Sequence, residues 1–140
     1  MRIRTAEHND ARSLVTLAAL VVGQPRAAQL VRAHVERNEL LIADEHGEVV
    51  GCLAYRTDWF GCTFVSLVVV AESARRRGLA RALFEAVERR SPSPRLFSST
   101  EETNVASIRM HRALGFSASG YIDNLPQGYR ELLFYKRLRP

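Results

Sequence analysis

Cysteine is scarce in this chain. Only Cys52 and Cys62 occur, each set in a strand-like apolar pattern, which excludes a disulfide scaffold and leaves no thiol cluster for zinc. Both read as small buried hydrophobes, and no metal site is expected. Long apolar runs are missing too: Phe64 to Val70 is strand-sized, far short of the roughly 20 residues that a membrane-spanning helix needs. The first residues lack the charged, apolar, small-residue order of a secretory leader. A cytoplasmic location with no membrane partner is therefore the expectation. Lysine is almost absent, Lys136 being the only one, so the net charge of +5 rests on arginine. The arginines are scattered over both termini and several helical segments instead of lining one face, so no nucleic-acid partner is expected. Without low-complexity tracts or internal repeats, 140 residues suit a single domain, residues 1–140, around one core.

What is present alternates between two periodicities. Arg2-Ile3-Arg4 alternates like an edge strand, and Asn9-Asp10 offers caps for a helix with Leu14, Val15, Leu17 and Ala18 on its apolar face. Gly23-Gln24-Pro25 breaks that helix, and a second from about Arg26 to Arg37 presents Ala27, Leu30, Val31, His34 and Val35. His34, on an apolar stripe, reads as a core histidine with its hydrogen bonds satisfied. Leu40 to Ala43 and Val49 to Thr57 form a hairpin around Glu45-His46-Gly47-Glu48, and Asp58-Trp59-Phe60-Gly61 turns the chain into a central strand, Cys62 to Val70. A helix with Leu79, Leu83, Ala86 and Val87 inward follows, closed by Ser91-Pro92-Ser93-Pro94. The strand Arg95 to Ser99, a helix after Asn104, a strand to about Asp123 and a last strand from Glu131 to Leu138 complete the chain. The order is β-α-α-β-β-β-α-β-α-β-β, an α/β (α+β) architecture.

The most informative segment is Arg75-Arg76-Arg77-Gly78-Leu79-Ala80, between the central strand and the helix behind it. A strand feeding a small-residue turn and then a helix start leaves backbone N–H groups unpaired, with the positive end of the helix dipole behind them. That is a phosphate cradle, in which Gly78 and Ala80 let a pyrophosphate approach the main chain and three arginines supply charge. A second motif lies about thirty residues on, from Asn104 through Ser107 and His111 to Gly115-Phe116. At helical spacing Ala106, Met110, Ala113 and Leu114 make an apolar stripe, and Asn104, Ser107 and His111 share a different, polar face. Gly115 is placed to end the helix in a left-handed cap.

The spacing Arg-x-x-Gly-x-Ala behind a strand resembles the acyl-CoA pyrophosphate loop of the GNAT family, the Gcn5-related N-acetyltransferases. The Asn-led helix closing in Gly-Phe is similar to that family's second motif. The motifs cover about Leu67 to Phe116, and the architecture covers Arg2 to Leu138. The resemblance implies a mixed, mostly antiparallel sheet of about seven strands flanked by about four helices. It implies an acetyl-CoA-dependent N-acetyltransferase that moves the acetyl group to a primary amine, most simply that of a small molecule, by direct attack in a ternary complex. Acetyl-CoA would then lie on Arg75, Arg76, Arg77, Gly78, Leu79 and Ala80, with Val68, Val69 and Val70 presenting main-chain amides to the thioester and with Asn104 and Ser107 beside the cofactor. His111 stands where many relatives carry a Tyr that protonates the CoA sulfur. Glu101 and Glu102 would take the proton of the amine through water, and Trp59, Tyr121, Asp123 and Tyr129 would meet the acceptor. Glu72 departs from the Pro that often precedes the cradle. A protein or peptide acceptor and a non-catalytic acyl-CoA-binding module are the alternatives, and the free edge strand and exposed apolar turns admit a homodimer.

Overall fold

A computed structural model describes residues Met1 to Pro140. The strands are β1 (Arg2–Thr5), β2 (Leu40–Glu45), β3 (Glu48–Trp59), β4 (Cys62–Val70), β5 (Arg95–Glu101), β6 (Ser117–Ile122) and β7 (Glu131–Arg137). The helices are α1 (Ala11–Val22), α2 (Arg26–Glu36), α3 (Leu79–Arg90) and α4 (Val105–Ala113). The seven strands form one sheet in the order β1-β2-β3-β4-β5-β7-β6. β4 and β5 run parallel, while β1 and β2, β2 and β3, β5 and β7, and β6 and β7 pair antiparallel. The expected element order, mixed sheet and four helices are all present. The chain divides into two compact units, residues 1–56 with 66–90, and residues 57–65 with 91–140.

In the first unit, period-two alternation on β2 and β3 decides which helix each residue meets. Leu40, Ile42, Cys52 and Ala54 join Leu14, Leu17, Ala18, Ala27, Val31 and Val35 in one core under α1 and α2. The intervening residues face α3, where Leu83, Phe84 and Val87 are fully buried. Gly51 lies there because a Cβ would come 3.5 Å from Leu83 and 3.2 Å from the Val69 carbonyl oxygen. Phe84 joins this face beside the Leu79, Leu83, Ala86 and Val87 that the helical spacing places inward.

Asp10 does not cap α1 with its side chain. A 3-10 turn at His8–Asp10 precedes the helix, and the Asp10 carboxylate accepts the Glu7 N–H at 2.8 Å and both terminal nitrogens of Arg4 at 2.9 Å. A guanidinium offers this carboxylate two charge-assisted hydrogen bonds, which a helix N–H cannot match. The Arg4 hydrogen bonds are also the main reason the Asp10 carboxyl lies below its ordinary range.

In the second unit α4 packs on one face of the β5–β7 sheet. Its orientation departs from the sequence expectation: Ala106 and Ala113 are exposed, whereas His111 is buried, with Leu114 beside it. Two alanines gain little from burial. The imidazole gains aromatic contacts, stacking on Phe134 with ring centres 4.6 Å apart and meeting Phe116 edge-on at 5.4 Å.

Trp59 also differs from expectation. It belongs to β3, and the turn into β4 is only Phe60-Gly61, both at positive φ (53° and 70°), the geometry of a two-residue hairpin turn. The ring of Trp59 stacks on Phe64 and touches Phe97, which extends the strand. Cys52 is buried as expected, but Cys62 is half-buried, its Sγ 3.5 Å from the Phe60 carbonyl oxygen.

Candidate active site

β4 ends at Val70, a 3-10 turn at Glu72–Ala74 follows, and α3 begins at Leu79. Arg76 (φ 64°) and Gly78 (φ 76°) adopt left-handed backbone conformations, which turn successive N–H groups toward one side. No hydrogen-bond acceptor within the chain meets the N–H groups of Arg76, Arg77, Gly78, Leu79 or Ala80, and the first main-chain bond of the helix runs from Ala82 N–H to Gly78 O at 3.0 Å. The cradle expected from the sequence is present as five unpartnered donors at a helix N-terminus. Gly78 matters here for its φ, since a Cβ on it would project into open space.

The three arginines are not equivalent. Arg75 Nε donates to the Val70 carbonyl at 3.3 Å, pinning the turn to the strand end. Arg77 donates to Glu45 Oε2 at 2.7 Å, which draws the Glu45 carboxyl below its usual range. Arg76 is exposed and has no partner. An incoming anion would therefore find Arg76 uncommitted and would compete with Glu45 for Arg77. Such a donor set, dipole and charge fit the pyrophosphate of an acyl-CoA. Val68, Val69 and Val70 lie on the same β4 that leads into the cradle, Val69 buried and the other two half-buried.

In the second unit the Asn104 side chain accepts the Ser107 N–H at 3.0 Å and caps α4. His111 Nδ1 lies 2.8 Å from the Ser107 carbonyl oxygen. A carbonyl only accepts, so Nδ1 carries the proton. Nε2 of the neutral ring then accepts from the Ser98 hydroxyl at 2.7 Å. The ring is 1% exposed, and desolvation holds its pKa below the ordinary histidine value, opposed by the Ser107 hydrogen bond. Both ring nitrogens are thus committed. Sequence spacing grouped Asn104, Ser107 and His111, and the structure does bring Ser107 and His111 together, but on a buried face.

Glu102 Oε2 accepts the Arg130 N–H at 2.6 Å, and Glu101 stands within β5, paired in register with Glu131. Asp123 is 3.1 Å from Arg130 Nε, an exposed pair, and the Arg130 guanidinium sits 4.4 Å above the Tyr121 ring. Glu102, Asp123, Tyr129 and Arg130 border an open recess of about 380 Å³. Tyr121, Asp123 and Tyr129 are therefore clustered, while Trp59 belongs to a separate aromatic group. Arg130 was not singled out from the sequence. A lone Arg beside a turn gives no signal until the β6–β7 hairpin folds it back on Asp123.

The model of the acetyltransferase (GNAT) family matches residues 8–116. The chain belongs to the GNAT family. Among its relatives, the L-methionine sulfoximine/L-methionine sulfone acetyltransferase of Pseudomonas paraeruginosa (strain DSM 24068 / PA7) is 34% identical over 98 residues, 64% of this chain and 56% of that protein. The matched region thus spans little more than half the length of that curated relative. The crystal structure of a GNAT-family acetyltransferase from Bacillus cereus ATCC 10987 superposes with a TM-score of 0.89 at 32% identity, covering 97% of this chain and 96% of that one. The structure of yncA from Salmonella typhimurium with its cofactor acetyl-CoA shares the fold, with a TM-score of 0.77 at 23% identity over 100% and 95% of the two chains.

Proposed function

We propose that this chain is an acetyl-CoA-dependent N-acetyltransferase acting on the primary amine of a small molecule. The observation that carries the reading is the run of five unpartnered N–H groups from Arg76 to Ala80 in a chain whose family membership is secure. Bound acetyl-CoA supplies an activated acyl group, and the neutral amine attacks its carbonyl. The C–S bond breaks, the amine gives up a proton to water, and the departing thiolate takes one. Arg76 and the cradle N–H groups hold the pyrophosphate. In this reading Val69 and Val70 offer main-chain donors where negative charge develops on the thioester oxygen. Glu101 or Glu102 relays the amine's proton through water. The small-molecule acceptor is supported by the relative that acetylates methionine sulfoximine and methionine sulfone, and the recess beside Tyr129 is of small-molecule size.

His111 is buried and fully hydrogen-bonded, which favours a positioning role that ties α4 to β5, with the thiolate protonated from water. The same observation favours a second reading, an acyl-CoA-binding module without turnover.

Calorimetric titration with acetyl-CoA tests the central reading. Wild type is expected to bind at about micromolar Kd. A Gly78→Glu variant, strained at φ 76° and carrying a carboxylate into the cradle, is expected to stay folded and lose that binding. A folded wild type that does not bind acetyl-CoA refutes the proposal. Binding without acetylation of any amine in a panel that includes methionine sulfone selects the second reading.

A further inference from the structure

We infer that Ser66 receives the nucleophile, its Oγ accepting an N–H of the attacking amine, and that His34 is the positioning residue that keeps the lone pairs of that oxygen turned toward the substrate. The inference rests on the N-acetyltransferase reading above and adds to it the group that holds the amine.

Two residues of the first unit are at odds with their surroundings, and they meet. Ser66 is the only polar side chain between Phe64 and Val70, on the middle strand of the sheet. It is exposed, while Val65 and Leu67 on either side are buried. His34 lies on the apolar face of α2 at 8% exposure, where an aliphatic side chain would bury without the cost of desolvating a polar ring. Ser66 Oγ is 3.4 Å from His34 Nε2 and 3.3 Å from the Ala54 carbonyl oxygen.

The partners fix the direction of these contacts. His34 Nδ1 lies 3.2 Å from the Glu39 carbonyl oxygen, which only accepts, so Nδ1 carries the proton of the neutral ring and Nε2 is an acceptor. The Ala54 carbonyl is an acceptor as well. Both inner neighbours of Ser66 therefore draw its single hydroxyl hydrogen inward. Whichever of them takes it, the lone pairs of Oγ are left for the exposed side, where they suit an N–H donor.

The place on β4 suits the reaction. β4 is in parallel register with β5 from Thr63 to Val65, and Ser66 is the next residue. The Val69 main chain, which offers a donor to the thioester oxygen in the proposed reaction, is three residues on, about 10 Å along the strand. A hydrogen bond of about 2.9 Å at each end, a carbonyl of about 1.2 Å and a near-attack gap of about 3 Å extend over the same length. An amine on Ser66 is thus within reach of a thioester held at Val69.

His34 is neutral at working pH. Burial holds it below the ordinary histidine value, opposed by the Glu39 and Tyr55 main chains and the Glu39 carboxylate, while Arg37 acts in the same direction as burial. β4 adds only the uncharged Ser66. Once protonated, Nε2 donates to Oγ, occupies a lone pair and sets a positive charge behind it. Amine binding then weakens.

Steady-state kinetics with acetyl-CoA and methionine sulfone, or the amine of the panel that is turned over fastest, test this. Ser66→Ala, at an exposed position, is expected to raise KM for the amine about fivefold, the loss of one neutral hydrogen bond. Its Kd for acetyl-CoA by calorimetry stays that of wild type. Ser66→Thr keeps the hydroxyl and is expected to keep the wild-type KM. His34→Gln replaces the imidazole by an amide that does not titrate. The ratio of kcat/KM, wild type over His34→Gln, cancels the ionisation of the amine itself. It is expected to be constant down to about pH 7 and to fall below about pH 6.5. Heteronuclear NMR of the wild-type imidazole is expected to find the proton on Nδ1. Circular dichroism confirms that each variant is folded. A Ser66→Ala enzyme with the wild-type KM overturns the inference, as does a Ser66→Thr enzyme as impaired as Ser66→Ala. A flat kcat/KM ratio, or a neutral ring protonated on Nε2, overturns the role of His34. A wild type that acetylates no amine refutes the parent reading, a result distinct from these, and takes the inference with it.

Discussion

Replacing His111 by Phe separates a structural histidine from a catalytic one. In the wild type the ring stacks on Phe134, and its nitrogens meet Ser98 Oγ and the Ser107 carbonyl. Phe keeps the stacking and loses both polar contacts. Ser98, 2% exposed, is left with a buried hydroxyl that has lost its acceptor, at a cost of about 1–3 kcal/mol. The Ser107 carbonyl keeps its helical environment, so the loss concentrates on Ser98. At pH 7.5 the variant is therefore expected to be less stable than wild type by that amount in urea unfolding.

The pH dependence makes the test sharper. Burial depresses the pKa of His111, and also that of His34, below the ordinary histidine value. The unfolded chain then binds protons first as pH falls. Each of these histidines contributes stability that is complete above about pH 6.5 and is lost as pH falls through the folded-state pKa, with a limiting slope of about 1.4 kcal/mol per pH unit. Wild type can therefore lose up to about 2.7 kcal/mol per unit from the pair, and the variant only about half of that. The stability gap between the two proteins should narrow between pH 7 and pH 5.5. Equal slopes in wild type and variant would refute the assignment of a desolvated, neutral His111. Turnover measured alongside decides the chemistry: a general acid supplies about 10² or more to the rate, so a folded variant that binds acetyl-CoA but has lost that much kcat is missing a proton donor. A variant with nearly unchanged kcat had only a positioning residue there.

Asn104→Ala removes the only side-chain cap of α4, the acceptor of the Ser107 N–H. A loss of about 1 kcal/mol in urea unfolding is expected, with Asn104→Asp retaining most of the stability. The cysteines should differ in reactivity. Burial pushes the Cys52 thiol up to about 12, so a thiol reagent is expected to titrate Cys62 in the native protein and Cys52 only on unfolding. Two fast thiols in the native state would contradict the buried position of Cys52.

The sequence alone determined the order of elements, the central place of β4, the cradle and the Asn104 cap, because each depends on near neighbours. A period of two or 3.6, a helix start behind a strand, and a side chain three residues from the N–H it accepts are local facts. Trp59 and His111 show where locality ends. Local sequence places Trp59 in the turn Asp58-Trp59-Phe60-Gly61, yet its ring is held by Phe64 and by Phe97, which lies far along the chain. The helix that carries His111 offers two faces, and its own apolar count favoured Ala106, Met110 and Ala113. Only the presence of Phe134 and Ser98 on distant strands made the imidazole the better group to bury, since its hydrogen bonds and its stacking are both satisfied there. Likewise, His34 and Ser66 are unrelated residues in the sequence, and it is the fold that brings Nε2 of the one within 3.4 Å of Oγ of the other. Long-range partners set the orientation of a helix and the pattern of a sheet surface, and a residue's partners across strands are not encoded in its neighbours along the chain.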